Sequence, residues 1–318
     1  MTKQSATLTA FAEDVLTGLS APKRSLSSKW FYDETGSDLF RQIMAQPEYY
    51  LTDAELDIYR RIGPRLAGEL DDRPFDLVEL GAGDGTKTQH LIEYFLAQGR
   101  DFRYLPIDIS RDALDGLGEL IHLRWPNLDF HPIAADYFVA LDELDLGEDR
   151  QRLLLFPGAN IGNFSPAFAT AMMRRIRGLL RKDDLVLTGF DLMKDPATIL
   201  AAYNDAAGKT AAFNLNLLYR INRELGGNFD PARWRHWETY NPVTGAAQSF
   251  LVSQGTQRVT IEALDRNFEF AAWEAIDVEI SQKYNRAQIE EMAERAGYRF
   301  RWCFEDERNY FVDALWRV

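Results

Sequence analysis

Cysteine is all but missing from this sequence: Cys303 is the single one in 318 residues. One thiol cannot close a disulfide within the chain or build a multi-cysteine zinc site, and it suits a reducing compartment. Histidine is scarce too. His90, His122, His131 and His236 are scattered without metal-ligand spacing, so no metal is expected. No apolar run approaches the roughly 18 residues of a membrane span, and the opening "MTKQSATLTAFAEDVL" already carries Glu13 and Asp14, unlike a secretory leader. These absences predict a cytoplasmic protein with no membrane partner. Positive charge is also in deficit: 36 Lys and Arg against 49 Asp and Glu give a net charge of -13, which repels nucleic acid. A small molecule is the expected ligand.

What the chain does have is 46% hydrophobic residues, enough to bury a large core. Residues 6–70 read as helices: "SDLFRQIM" starts after Gly36, and "TDAE" at 52–55 has the Thr-x-x-Glu spacing of a capping box. Beyond that point short apolar runs alternate with amphipathic stretches: "FDLVEL", "FRYLPID", "LDFHPIA", "RLLLFP" and "DLVLTGFD". Such alternation predicts a mostly parallel sheet wrapped by helices. The stretch 194–283 breaks the rhythm. It begins with the helical "ATILAAYNDAAGKTAAFNLNLLYRINREL" and continues with strands such as "RWRHWETYN", "SFLVSQ", "QRVTIEAL" and "FEFAAW". A helix and two strand-like runs, "YRFRWCFED" and "YFVDALWRV", close the chain. The reading is an α/β domain at 54–193 plus 284–318, and an α+β unit made of 1–53 plus 194–283.

The segment "VELGAGDGTKTQHL" passes from a strand through a glycine-rich turn into a helix, the seat used by nucleotide-type cofactors. A dinucleotide fingerprint wants its third glycine where Thr86 stands, and Asp84 puts a carboxylate where a pyrophosphate would lie. S-adenosylmethionine has no phosphate and carries a positive sulfonium, so the turn favours it; a nicotinamide dinucleotide is the alternative. Asp108, at the end of the second strand, is placed to bind ribose hydroxyls in either case, or else to cap the next helix. After the third strand Asp136 is placed to accept from an adenine amino group while Tyr137 covers the ring.

The strings "SKWFYDETGSDLFRQIMAQPEYYLTDAE", "VELGAGDGTKT", "IGNFSP", "AYNDAAGKTAAFNLNLLYRINRELGGNFD" and "EISQKY" resemble the histidine Nα-methyltransferases of ergothioneine biosynthesis, and the resemblance spans nearly the whole chain. It implies a Rossmann-like class I methyltransferase domain with a second α+β substrate-binding domain, the amino acid lying between them. It implies Gly81, Lys87, Asp108, Asp136 and Tyr137 as S-adenosylmethionine residues and Tyr32 near the methyl donor and the substrate amine. Tyr49, Asn163 and Tyr203 fall on the amino-acid site, the last two at the carboxylate, and Glu279 and Ser281 where the family recognises the imidazole. The implied reaction is trimethylation of the histidine α-amine to hercynine, by a monomer. Ser249 replaces a larger apolar methionine that faces the substrate ring, which keeps another amino acid, such as a tryptophan derivative, as the alternative substrate. A non-catalytic cofactor-binding protein is the remaining rival.

Overall fold

The computed structural model describes residues 3–143 and 149–318. Two helices come first, α1 (Lys3–Ser20) and α2 (Glu34–Met44). Next come α3 (Leu51–Glu69), β1 (Phe75–Leu80), α4 (Gln89–Ala97), β2 (Phe102–Asp108) and α5 (Arg111–Arg124). Two short strands, β3 (Asp129–Phe130) and β4 (Ile133–Ala134), precede α6 (Tyr137–Glu143), β5 (Gln151–Phe156), α7 (Pro166–Leu179) and β6 (Leu185–Asp191). The stretch that follows holds α8 (Pro196–Ala202), α9 (Lys209–Leu225), β7 (Trp234–Asn241), β8 (Ala246–Ser253), β9 (Gln257–Ile261), β10 (Arg266–Phe270) and β11 (Ala275–Gln282). The chain closes with α10 (Arg286–Ala296), β12 (Arg299–Glu305) and β13 (Phe311–Arg317).

These elements form two units. One comprises Tyr50–Met193 with Gln282–Val318, the other the residues up to Tyr49 with Lys194–Ser281. The first is built on a sheet of order β12-β13-β6-β5-β1-β2-β3, with β4 also on β2. Its members are parallel except β13, which runs antiparallel to both β6 and β12. Every residue of β1 is buried, as expected of a central parallel strand covered on both faces. Val78, Leu105, Leu154 and Val186 form one row across β1, β2, β5 and β6. Each such side chain contributes about 1.5–3 kcal/mol of burial. Asp76 is admitted to this core because Arg103 and Arg150 hold its two oxygens at 2.7–2.9 Å.

The second unit has a three-stranded sheet, β11-β8-β7, and a hairpin, β9–β10. Helix α9 supplies Phe213, Leu217 and Ile221 to its core, which Phe31, Trp234, Phe270, Ile276 and Val278 complete.

Several expectations change at this resolution of detail. The run "LDFHPIA" is two strands, β3 and β4, each pairing with β2. The helical stretch after residue 196 is two helices, because Gly208 takes a left-handed φ of 71° and Asp205 accepts the N–H groups of Lys209 and Thr210 at 2.8 and 2.7 Å. The capping box fails: α3 begins at Leu51 with Tyr50 as its N-cap and no side-chain cap, so Thr52 already lies inside the helix.

The first unit also holds a buried polar knot. Tyr50 Oη lies 3.0 and 2.8 Å from the carboxylate oxygens of Asp191, and Lys283 Nζ lies 2.8 Å from the same carboxylate, with Asp191 and Lys283 side chains fully buried. Backbone bonds Tyr284 N–H to Asp191 O (3.0 Å) and Met193 N–H to Tyr284 O (2.8 Å) run beside it.

Candidate active site

The turn after β1 uses three glycines in the left-handed region: Gly81 at φ 76°, Gly83 at 53° and Gly85 at 69°. At Gly81 the absent side chain matters twice, since a Cβ would stand 2.7 Å from Tyr137 Oη and 2.9 Å from Asn160 Nδ2. Around Gly83 there is open space. Asp108 is locked against this turn, accepting Gly83 N–H at 2.9 Å and Ser110 N–H at 2.8 Å. Ser110, not Asp108, caps α5 by accepting Ala113 N–H at 3.3 Å, so the helix-cap alternative for Asp108 falls away. Burial raises the Asp108 carboxyl above its usual range although backbone N–H bonds pull it down. Asp84 accepts Thr86 N–H at 2.9 Å, spending on a carboxylate a donor that a pyrophosphate would need.

Tyr137 opens α6, and its ring packs edge-on to Phe156 of β5 (centroids 5.7 Å apart). Burial, then the charges of Asp108 and Asp136, raise its phenol well above the ordinary tyrosine range, so it stays a hydroxyl donor. Asp136 is exposed at the root of the same helix. Gly81, Asp108, Asp136 and Tyr137 thus gather at the carboxyl ends of β1, β2 and β4, where open α/β sheets bind ligands.

Lys87 forms an ion pair with Glu55 of α3. Glu55 also accepts Gly158 N–H at 2.8 and 2.9 Å, in the loop that follows β5. In that loop Gly158 (φ 75°) and Ala159 (φ 54°) are both left-handed, an unfavourable conformation for alanine. Asn160 braces it by donating to Pro157 O at 2.9 Å. Asn163 ends the following 3-10 turn with its side chain exposed, and Gly162 lets that turn approach Gln282 O, which a Cβ would meet at 2.8 Å.

In the second unit, Tyr32 stands edge-on to Phe40 and Phe213, each 5.5 Å away, and Tyr49 edge-on to Phe40 at 6.2 Å. Asp33 fixes the backbone beside Tyr32. It caps α2 through Gly36 N–H at 2.7 Å, takes Asn216 Nδ2 at 2.7 Å, and pairs with Arg223. Burial opposes the Asp33 charge, but Arg223, the Gly36 N–H and Asn216 outweigh it and lower its pKa. Tyr203 Oη and Ser281 Oγ are 2.6 Å apart and buried. Ser249 Oγ lies 2.7 Å from Glu238 and 3.1 Å from Glu279, so one hydroxyl is shared by two carboxylates.

Asn160 and Glu238 were not singled out in the sequence, and Glu55 was read only as part of a capping box. Its place in the site could have been read, because it falls in the buried stripe Glu55, Ile58, Tyr59, Ile62, Leu66 of α3, where a charge demands a partner. Asn160 and Glu238 carry no comparable signal.

The residues present suit S-adenosylmethionine: an unobstructed glycine turn, a carboxylate for ribose hydroxyls, a lysine for a carboxylate, and no free run of N–H donors for a pyrophosphate. Among the described residues no helix is long and apolar enough to cross a membrane. A family described as histidine-specific, SAM-dependent methyltransferase matches residues 11–318. The chain is 35% identical over 302 residues to the histidine N-alpha-methyltransferase of Mycobacterium tuberculosis, covering 95% of this chain and 93% of that one. It is also 35% identical over 307 residues to the enzyme of the same name from Mycolicibacterium smegmatis, covering 96% and 94%. Ergothioneine biosynthesis protein 1 of Schizosaccharomyces pombe is 29% identical over 282 residues, 86% of this chain and 36% of that protein.

Proposed function

The chain belongs to the histidine-specific, S-adenosylmethionine-dependent methyltransferases, and on that footing we propose how its residues divide the work of methylating the α-nitrogen of histidine to hercynine. When bound, the cofactor supplies an electrophilic methyl group on a sulfonium. Lys87 and the glycine turn hold its amino-acid end, Asp108 its ribose, and Asp136 and Tyr137 its adenine.

Methyl transfer to nitrogen needs little covalent help from the protein, so most of the acceleration comes from positioning. Asn163 and Tyr203 anchor the substrate carboxylate as neutral groups, adding no positive charge beside an amine and a sulfonium. The Tyr32 hydroxyl orients the amine and passes on its proton, directly or through water. Tyr49 lines the same site. The single observation that carries histidine as substrate is the shared hydroxyl of Ser249. The residue that departs from the family's methionine does not open apolar room for an indole; it joins two carboxylates, Glu238 and Glu279, into a polar wall. Glu279 and Ser281 accept and donate to the imidazole, whereas an apolar ring would offer Glu279 no donor to add to that of Ser249, at a cost of about 1–3 kcal/mol.

The enzyme transfers three methyl groups, acts as a monomer, and works in the cytoplasm. Mass spectrometry of the protein with S-adenosylmethionine and an equimolar mixture of amino acids tests this reading. Histidine gaining three methyls is expected; methylation of another amino acid instead would sink it, and so would a product that stops at one methyl.

A further inference from the structure

The Glu55 carboxylate occupies a niche made for it. It is fully buried, and Gly189 of β6 leaves its space open: a Cβ there would come within 2.5 Å of Glu55 Oε1 and 3.0 Å of the Phe311 ring. Its two partners, Lys87 and the Gly158 N–H, come from the helix-side turn after β1 and the loop after β5. Both segments belong to the cofactor end of the sheet.

Two other buried acids lie near Lys87 and serve differently. Glu79 is engaged by Thr88 Oγ1 at 2.6 Å and by the Tyr104 hydroxyl. Asp313 has both carboxyl oxygens buried without a hydrogen-bond partner among the described residues, and burial, then the charge of Glu55, pushes it far above the carboxylate range. Burial alone would lower the Lys87 ammonium, but the charge and hydrogen bond of Glu55 hold it above its usual range. Lys87 is therefore held as a cation, and among the described residues Glu55 is the carboxylate in contact with it.

That pairing answers a difficulty in the cofactor's own charge pattern. S-adenosylmethionine presents a carboxylate that wants a cation and a sulfonium that a cation repels. We propose that Glu55 is a positioning and charge-compensating residue of the cofactor site: it fixes Lys87 and the 157–160 loop, and cancels the lysine's charge so that the carboxylate can be held without repelling the sulfonium. This rests on the assignment of Lys87 to the cofactor.

The test is calorimetric titration of the full-length protein with S-adenosylmethionine, which carries the sulfonium, and with S-adenosylhomocysteine, which is the same molecule with a neutral thioether. Glu55→Gln keeps an acceptor for Gly158 N–H and removes the charge. It is expected to raise the Kd for S-adenosylmethionine about tenfold and that for S-adenosylhomocysteine no more than about threefold. Glu55→Asp, which keeps the charge, should leave the ratio of the two constants near wild type. Lys87→Met reads the same idea from the other side: both ligands weaken, and the ratio moves the opposite way because Glu55 now favours the cation. Equal weakening of both ligands in Glu55→Gln would reduce Glu55 to a loop support and overturn the proposal. Lys87→Met without effect on either ligand would overturn the Lys87 assignment and the proposal with it. Melting curves with and without S-adenosylhomocysteine verify that each variant is folded, and Lys87→Met decides alone if Glu55→Gln is not.

Discussion

Ser249 and Glu279 are hydrogen-bonded at 3.1 Å in the smaller unit, and the same hydroxyl reaches Glu238 at 2.7 Å. A serine carries one proton, so it donates to one carboxylate at a time, and the pair of acids is eased by a positive or proton-bearing guest. An imidazole is such a guest.

Removing the hydroxyl should therefore weaken histidine without touching the cofactor. Ser249→Ala is expected to lower kcat/KM for histidine about tenfold, chiefly through KM, with the Kd for S-adenosylhomocysteine unchanged. Steady-state kinetics and calorimetry decide; a matching loss of cofactor affinity would place Ser249 in the scaffold instead.

Tyr203→Phe deletes the hydroxyl that bonds Ser281 at 2.6 Å. If this hydroxyl also holds the substrate carboxylate, KM for histidine rises about tenfold or more while Tm shifts by only a few degrees. Histamine, which lacks the carboxylate, gives the control: as an inhibitor its affinity should be nearly the same in wild type and variant.

At Gly81 any side chain meets Tyr137 Oη at 2.7 Å and Asn160 Nδ2 at 2.9 Å, on a backbone at φ 76°. Gly81→Ala is expected to cost about 1–2 kcal/mol of stability through backbone strain and to weaken S-adenosylhomocysteine by at least about tenfold. Thermal melts with and without ligand measure both; wild-type ligand stabilisation in the variant would remove Gly81 from the cofactor site.

Glu79 sets a pH dependence. Burial raises its pKa from 4.5 to about 7, against the pull of Thr88, Tyr104 and Lys87. The folded state thus binds this proton more tightly than the unfolded state, so the contribution to stability is fully present below pH 4.5 and is lost as pH rises through 7. At about 1.4 kcal/mol per unit the loss is about 3 kcal/mol. Denaturant unfolding between pH 5 and pH 8 should show stability falling in wild type and a flatter profile in Glu79→Gln; parallel profiles would assign the slope to other groups.

The α/β class was legible because central strands such as "FDLVEL" are short apolar runs between amphipathic helices, and that pattern survives translation into a sheet. Local punctuation was less readable. Thr52 and Glu55 have capping-box spacing, yet the helix starts two residues before that box would place it, and the glutamate turns inward to an ion pair made with a residue 32 positions away. Strand β11, "AIDVEISQ", mixes acids with its apolar residues. Ile276 and Val278 fill a core, and Asp277 and Glu279 bond to Gln248 and Ser249. The glycine turn announced its ligand class through Gly81, Gly83 and Asp84, whereas Asn160 and Glu238 acquire meaning only from neighbours brought by tertiary folding.

The knot of Tyr50, Asp191 and Lys283 closes the neck where the long insertion leaves the sheet and returns to it. Departure and return lie side by side, so the inserted stretch is, to the sheet, a loop whose ends never need to move apart. Evolution can lengthen, trim or exchange such a cassette as one piece while the strands beneath keep their threading.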